Sequence, residues 1–182
     1  MTIGIPNILT IIRILLAPVF VIFLLREFFV PALIVFTVAG ISDGLDGFIA
    51  RYFNQKTALG AYLDPIADKM LLISAFVSLG ILKIIPAWLA VVVISRDVLI
   101  VIGIAVFTIT EKSYKVKPSI VSKLTTVSQI TAIIVTLMGV NAMGLAELKT
   151  TLFWTTAGLT LISGFHYIYL GMNILQDNSG RI

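Results

Sequence analysis

Residues 31–53, PALIVFTVAGISDGLDGFIARYF, and residues 61–82, AYLDPIADKMLLISAFVSLGIL, are two apolar runs that each contain two aspartates. A helix crosses the core of a bilayer with about 20 mostly apolar residues, and both runs are long enough. A charged side chain at the centre of such a helix costs about 2.5–3.5 kcal/mol on insertion scales and is usually functional. The two runs therefore predict two membrane helices that share an acidic site.

The rest of the chain has the same apolar character. Of its 182 residues, 59% are hydrophobic and 12% are charged, and the mean hydropathy is +1.09. Six stretches are predicted to be transmembrane helices, namely residues 7–25, 31–53, 61–82, 86–110, 119–140 and 150–175. The connections between them are too short for a second domain, so residues 1–182 are predicted to form a single all-α membrane domain.

The basic residues predict the orientation of this domain. Six crossings place both termini on one side, and the side richer in Lys and Arg is the cytoplasmic one. The face with the termini carries Arg51, Lys56, Lys112, Lys115, Lys117, Lys123 and Arg181, and the opposite face carries Arg26, Lys83 and Lys149. Both termini are therefore predicted to be cytoplasmic, and the expected location is a bacterial inner membrane.

Composition also limits the chemistry. The chain has no cysteine and a single histidine, so thiolate and multi-histidine sites are excluded and any metal must be held by oxygen. The net charge of +4 is modest. With so little polar surface, this charge fits loops that face anionic lipid, and nucleic-acid binding is not expected.

In the predicted orientation, the charges within the helices all lie in the cytoplasmic half. They are Arg13, Asp43, Asp46, Arg51, Asp64, Asp68, Lys69, Arg96, Asp97 and Lys123. The first two aspartates are three residues apart and the next two are four apart, so each pair shares a helix face. Carboxylates this close stay ionised only if cations compensate them. Arg51, Lys69 and Arg96 could do so, as could one or two Mg²⁺ or Mn²⁺ ions.

Three alternatives remain open from the residues alone. The acids could belong to a charge-balanced network that pairs the helices, they could form a path in an ion or proton transporter, or they could bind metal in an enzyme. A transporter is expected to spread its charges through the membrane depth and often has two related halves. The clustering at one depth, without a repeat, favours the enzyme. Gly44, Gly47 and Gly60 beside the acids also allow a bulky ligand to approach.

The order Asp43-x2-Asp46-Gly47-x2-Ala50-Arg51-x8-Gly60-x3-Asp64-x3-Asp68 resembles the signature of the CDP-alcohol phosphatidyltransferase family. Every defining position is present. The resemblance implies an enzyme that transfers the phosphatidyl group of CDP-diacylglycerol to an alcohol and releases CMP. It also implies a homodimer in the bilayer.

The resemblance assigns roles to residues. Asp43, Asp46, Asp64 and Asp68 would be metal ligands for Mg²⁺ or Mn²⁺, with two ions expected, and Asp68 would also be the general base. Asp46, Gly47, Arg51, Thr57 and Gly60 would bind CDP-diacylglycerol. Candidates for binding the acceptor are Asn7, Thr10, Arg13, Arg96, Lys123 and His166.

The acceptor itself is open between two members of the family's glycerophospholipid branch. The stretch Ile94-Ser95-Arg96-Asp97-Val98 and the segment from Lys117 to Gln129 resemble the cardiolipin synthases, whose acceptor is phosphatidylglycerol. The phosphatidylglycerophosphate synthases use glycerol-3-phosphate and more often have Arg-Glu where Arg96-Asp97 stands. Phosphatidylglycerol is therefore the expected acceptor, and glycerol-3-phosphate is the alternative.

Overall fold

The computed structural model describes the backbone of residues 5–52, 58–109, 120–140 and 143–177, and the side chains of residues 10–42, 69–103, 120–140 and 144–172. Within these ranges the chain is all-helical and contains no β-strand. The helices are α1 (Ile5–Leu25), α2 (Phe29–Tyr52), α3 (Ala58–Ile81), α4 (Ala87–Ile109), α5 (Ile120–Met138) and α6 (Ala146–Asp177). A short 3₁₀ turn, Met143–Leu145, precedes α6.

All six predicted helices are confirmed as helices, and most of their ends lie within a few residues of the predicted ones. The largest difference is at the start of α6, where the sequence predicted a polar connection as far as residue 149. The helix instead begins at Ala146 and places Glu147 in its first turn. An acidic residue is favourable near the positive end of the helix dipole, which a hydropathy pattern does not register.

The six helices form a closed ring in the order α1, α2, α5, α6, α4 and α3, and α3 also contacts α5 across the ring. Both helices that carry the predicted acidic residues, α2 and α3, pack against α1. Chain order and spatial order therefore differ, because α5 inserts next to α2.

Among the described side chains, most of the buried apolar ones and all of the buried charged ones lie in opposite halves of this ring. The half with the α1–α2 and α3–α4 turns contains most of the apolar core, including Phe20, Phe36, Phe76 and Leu89. The other half buries Thr10, Arg13, Arg96, Asp97, Thr125, Gln129, Thr160 and Ser163. Among the residues whose side chains are described, the buried charges therefore do gather in one half, as the sequence predicted.

The outer surface of the ring is also apolar. Leu15, Ile81 and Phe165 are examples, with exposed fractions of 62%, 67% and 68%. Within the described part of the chain, Ile120–Met138 is long and apolar enough to span a membrane, and the stretches Thr10–Leu25, Phe29–Ser42 and Lys69–Ile81 are apolar but shorter. The arrangement with six membrane spans stays a prediction.

The turns after α1 and α3 have the same hydrogen-bond pattern. After α1, the Glu27 amide donates to the Leu24 carbonyl at 2.9 Å and the Phe28 amide donates to the Phe23 carbonyl at 2.9 Å. After α3, the Lys83 amide donates to Gly80 at 3.1 Å and the Ile84 amide donates to Leu79 at 3.0 Å. These are Schellman motifs, which end helices with a left-handed residue.

That left-handed residue is usually glycine, but here it is Glu27 with φ 59° and Lys83 with φ 57°. A residue with a Cβ is strained by roughly 1–2 kcal/mol in this conformation. Both turns are therefore held by the helices on either side against a local backbone preference.

We expect Lys83→Gly to stabilise the protein by about 1 kcal/mol, because glycine adopts the left-handed conformation without that strain. For a chain of this length, the midpoint of thermal unfolding in detergent should rise by about 2–4 °C. The control is Lys83→Ala, which removes the charge but keeps the Cβ and should leave the midpoint nearly unchanged. An equal rise in both variants would assign the effect to the lysine charge and contradict the backbone argument.

Candidate active site

The predicted acidic site lies on two continuous helices. Asp43 and Asp46 are in α2, and Asp64 and Asp68 are in α3. Asp46 lies six residues before the end of α2 and Asp64 six residues after the start of α3, which is about 9 Å along each axis at 1.5 Å per residue. Asp46 and Asp64 are therefore equally far along their helices from the segment that joins them, and Asp43 and Asp68 each lie about one turn further from it.

The side chains of these aspartates lie outside the described ones, so their roles stay predictions. The same holds for Asn7 in α1, Gly47 and Arg51 in α2, and Gly60 in α3, while Thr57 lies outside the described backbone as well. Where side chains are described, no group of three or more His, Asp or Glu residues could hold a metal ion.

Arg13 and Thr10 are buried on α1, with exposed fractions of 1% and 0%. They are three residues apart and therefore share one helix face. Because α1 packs against both α2 and α3, this cation and hydroxyl belong to the helix that contacts both acidic helices. Their role in binding an acceptor stays a prediction.

Arg96 is the centre of a buried hydrogen-bond network that joins three helices. Its Nε and Nη2 donate to Ser163 Oγ of α6 at 3.2 and 2.8 Å. Nη2 also donates to Ser122 Oγ of α5 at 2.6 Å. Nη1 donates to Asp97 Oδ1, on its own helix, at 2.6 Å. Every nitrogen of the guanidinium thus has a protein partner.

The α6 side of this network also includes Gly164 and Tyr167. The Arg96 Cζ lies 5.8 Å from the centroid of the Tyr167 ring, within the range of a cation–π contact. A Cβ built at Gly164 would be 3.7 Å from the Arg96 Cγ. The arginine side chain therefore packs closely along this helix.

Asp97 is the anion of the cluster and binds two cations. In addition to Arg96, the Lys69 Nζ of α3 donates to its Oδ1 at 3.0 Å and to its Oδ2 at 3.1 Å. The Asp97 side chain is 1% exposed and that of Lys69 is 22% exposed. Two of the cations expected from sequence to compensate the acidic motif thus contact Asp97, and the third, Arg51, lies outside the described side chains.

The other two acceptor candidates, Lys123 and His166, are exposed. The His166 ring packs edge-on against Tyr167, with the ring centroids 6.4 Å apart. Both residues are close in sequence to partners of Arg96, because Lys123 follows Ser122 and His166 precedes Tyr167. Their backbones thus adjoin those of the partners of Arg96, while both side chains lie on the exposed surface.

Below the cluster, α5 and α6 are joined by hydroxyl groups. Ser128 Oγ and Thr156 Oγ1 are 2.6 Å apart, and Thr125 Oγ1 donates to the Leu159 carbonyl at 3.0 Å. Such polar contacts hold helices together where apolar packing alone has no driving force. This seam fixes the two helices that supply the serine partners of Arg96.

Sequence reasoning missed the role of Asp97 and of Ser163. Asp97 was recognised only as an intramembrane charge, although its position directly after Arg96 was a signal that the two could neutralise each other. Ser163 gave no signal, because a serine in an apolar helix is common and its partner lies on a helix distant in the chain.

The apolar exterior and the charges buried in one half define a class of helical bundle with an apolar outer surface and buried charges inside. Within that class, the chain belongs to the CDP-alcohol phosphatidyltransferase family, whose family model matches residues 3–162. The matched range includes all four aspartates of the motif.

Individual relatives fall into two groups. The chain is 35% identical to the cardiolipin synthase (CMP-forming) of Rattus norvegicus over 97% of its own length and 64% of that protein. The human protein of the same name is 35% identical to this chain over 94% of the chain's length and 63% of its own. Against a CDP-diacylglycerol–glycerol-3-phosphate 3-phosphatidyltransferase of Shigella flexneri, the identity is 34% over 97% of this chain and 100% of the relative. The chain thus spans less than two thirds of the two cardiolipin synthases.

We expect Arg96→Lys to lower the free energy of unfolding by about 1.5–3 kcal/mol, since a lysine cannot replace the planar fork that binds two serines and an aspartate. Thermal unfolding in detergent, followed by circular dichroism, would measure the loss. Lys69→Arg is the matched control, because it keeps the charge at the more exposed end of the cluster and should cost much less. Equal losses in the two variants would contradict a special role for the guanidinium.

Proposed function

We propose that this protein transfers the phosphatidyl group of CDP-diacylglycerol to the hydroxyl of a glycerol-type acceptor and releases CMP. The observation that carries the proposal is the family match over residues 3–162, which includes every position of the acidic motif. The placement of each aspartate pair on a continuous helix supports it further.

We propose phosphatidylglycerol as the acceptor, which would make the protein a cardiolipin synthase. The two mammalian relatives named cardiolipin synthase support this choice, together with the Arg96-Asp97 sequence. Glycerol-3-phosphate is the second candidate, and it is favoured by the Shigella relative, which this chain matches along its whole length.

The four aspartates fit a divalent cation by their donor chemistry, since Mg²⁺ and Mn²⁺ prefer carboxylate oxygen. Asp43, Asp46, Asp64 and Asp68 would hold two such ions between α2 and α3. Ions bound there would neutralise the pyrophosphate of the substrate and favour in-line displacement.

The chain's own residues would then handle the substrates and the proton. Asp68 accepts the proton from the acceptor hydroxyl, whose oxygen attacks the β-phosphorus while the bond from that phosphorus to the CMP oxygen breaks. Arg51 binds phosphate oxygens of CDP-diacylglycerol, and Gly47, Thr57 and Gly60 line the nucleotide.

The acceptor would bind on the cationic side of the site, at Asn7, Thr10, Arg13, Arg96, Lys123 and His166. Arg13 and Lys123 would attract its phosphate. Arg96 already donates to Ser122 and Ser163, so direct binding requires it to exchange one of those serines for an acceptor oxygen.

We also propose that the six helices span a bilayer as a single domain over residues 1–182, with both termini and the active site at the cytoplasmic face of a bacterial inner membrane. The apolar exterior and the basic residues near the termini support this arrangement. A homodimer is proposed from the family resemblance.

With Mg²⁺ or Mn²⁺, the purified protein should release CMP from CDP-diacylglycerol, and with both acceptors present the lipid product should carry four acyl chains by mass spectrometry. Asp68→Asn should lower the turnover by at least about 100-fold, because the general base is lost. Asp177→Asn, outside the motif, is the matched control and should keep the activity.

Three outcomes would change the proposal. A product with two acyl chains would make glycerol-3-phosphate the acceptor. Full turnover by Asp68→Asn would refute the base assignment. Metal-dependent flux in proteoliposomes without CMP release would replace the transferase by a transporter.

The topology can be tested with single cysteines, because the chain has none of its own. Arg26→Cys, in the exposed turn after α1, should react with a membrane-impermeant maleimide in intact spheroplasts. Asn178→Cys should react only after lysis. Labelling of both positions, or of the second alone, in intact spheroplasts would contradict the orientation.

A further inference from the structure

Asp97 is paired with two cations, although one cation would balance the charge of its carboxylate. Arg96 Nη1 lies 2.6 Å from Oδ1, and this contact alone compensates a single carboxylate. The second cation, Lys69, contacts both oxygens at 3.0 and 3.1 Å, so the three groups together carry one net positive charge. The pairing therefore does more to fix Lys69 than to neutralise Asp97.

Asp97 is also held rigidly. Its partner Arg96 is bound by Ser122 of α5 and Ser163 of α6 at 2.6 and 2.8 Å, and the carboxylate is almost fully buried. Residues of three helices therefore hold Asp97 in place independently of Lys69. Lys69 is the mobile partner, because a lysine has a flexible stem and this one is partly exposed.

Lys69 also lies directly beside the acidic motif in the sequence. It directly follows Asp68 on α3, and Asp64 lies five residues earlier on the same helix. An ammonium group among carboxylates compensates their charge and competes with a divalent cation for their oxygens. A lysine at this position, if left without a partner, is thus an internal competitor for the metal.

We propose that Asp97 is a positioning residue that holds the Lys69 ammonium away from Asp43, Asp46, Asp64 and Asp68, so that their oxygens remain free for a divalent cation. The inference rests on the proposed function, because it requires those four residues to bind metal. It assigns Asp97 a role in metal affinity without direct contact with the metal or the substrates.

The test is Mn²⁺ binding to the full-length protein in detergent, measured from the electron paramagnetic resonance signal of free Mn²⁺. Asp97→Asn should raise the Kd about tenfold, a loss typical of residues that act on metal ligands from outside the coordination sphere. Adding Lys69→Met to this variant should restore the Kd to within about twofold of the wild type, because the competitor is then gone.

A purely structural role of Asp97 makes a different prediction. If Asp97 only held the fold, the double variant would bind Mn²⁺ as weakly as Asp97→Asn or more weakly, and this result would overturn the proposal. Ser163→Ala is the matched control, since it removes a partner of Arg96 but leaves the contact between Lys69 and Asp97. Its Kd should stay within about twofold of the wild type.

Lys69→Met alone provides a second test if Asp97→Asn does not fold. The proposal expects the Kd of this variant to be equal to that of the wild type or lower, whereas a clear rise would make Lys69 a structural anchor of α3 and overturn the inference. Failure of the proposed function is distinguishable, because then the wild type itself would neither bind Mn²⁺ nor release CMP.

Discussion

A guanidinium and a carboxylate buried side by side on α4 determine how this bundle can be arranged. Arg96 and Asp97 are 3% and 1% exposed, and charges at that depth are tolerated only when they are paired and hydrogen-bonded. Lys69 of α3, Ser122 of α5 and Ser163 of α6 all form hydrogen bonds with this pair. Four of the six helices are thereby fixed at the same depth, in the half of the ring that buries polar side chains.

Much of the fold could be predicted from the sequence, because each long apolar helix corresponds to a long apolar run of residues. The runs at residues 31–53 and 61–82 became α2 and α3, and the fully buried charges gather in one half wherever side chains are described. The prediction failed at the start of α6. There residues 146–149 are helical, and Glu147 in the first turn is favoured by the helix dipole, which hydropathy does not register.

The partners within the site could be predicted only in part. Asp97 next to Arg96 is visible in the sequence, but Lys69 and Ser163 meet this pair because α4 lies between α3 and α6 in the ring. Ser122 reaches it from α5, which packs against α6. That order depends on packing between helices distant in the chain, which apolar periodicity does not encode. The roles of Asp43, Asp46, Asp64 and Asp68, in contrast, came from a spacing motif and do not depend on the ring order.

The adjacency of Arg96 and Asp97 has a consequence for biosynthesis. In the proposed six-span arrangement, α4 enters the membrane before α5 and α6 can pack against it. A guanidinium alone would then face lipid without its later partners, but its neighbour on the same helix neutralises it as soon as that turn forms. The pair lets α4 leave the translocon as an electrically neutral segment, and the serines take up the remaining donors when α5 and α6 arrive.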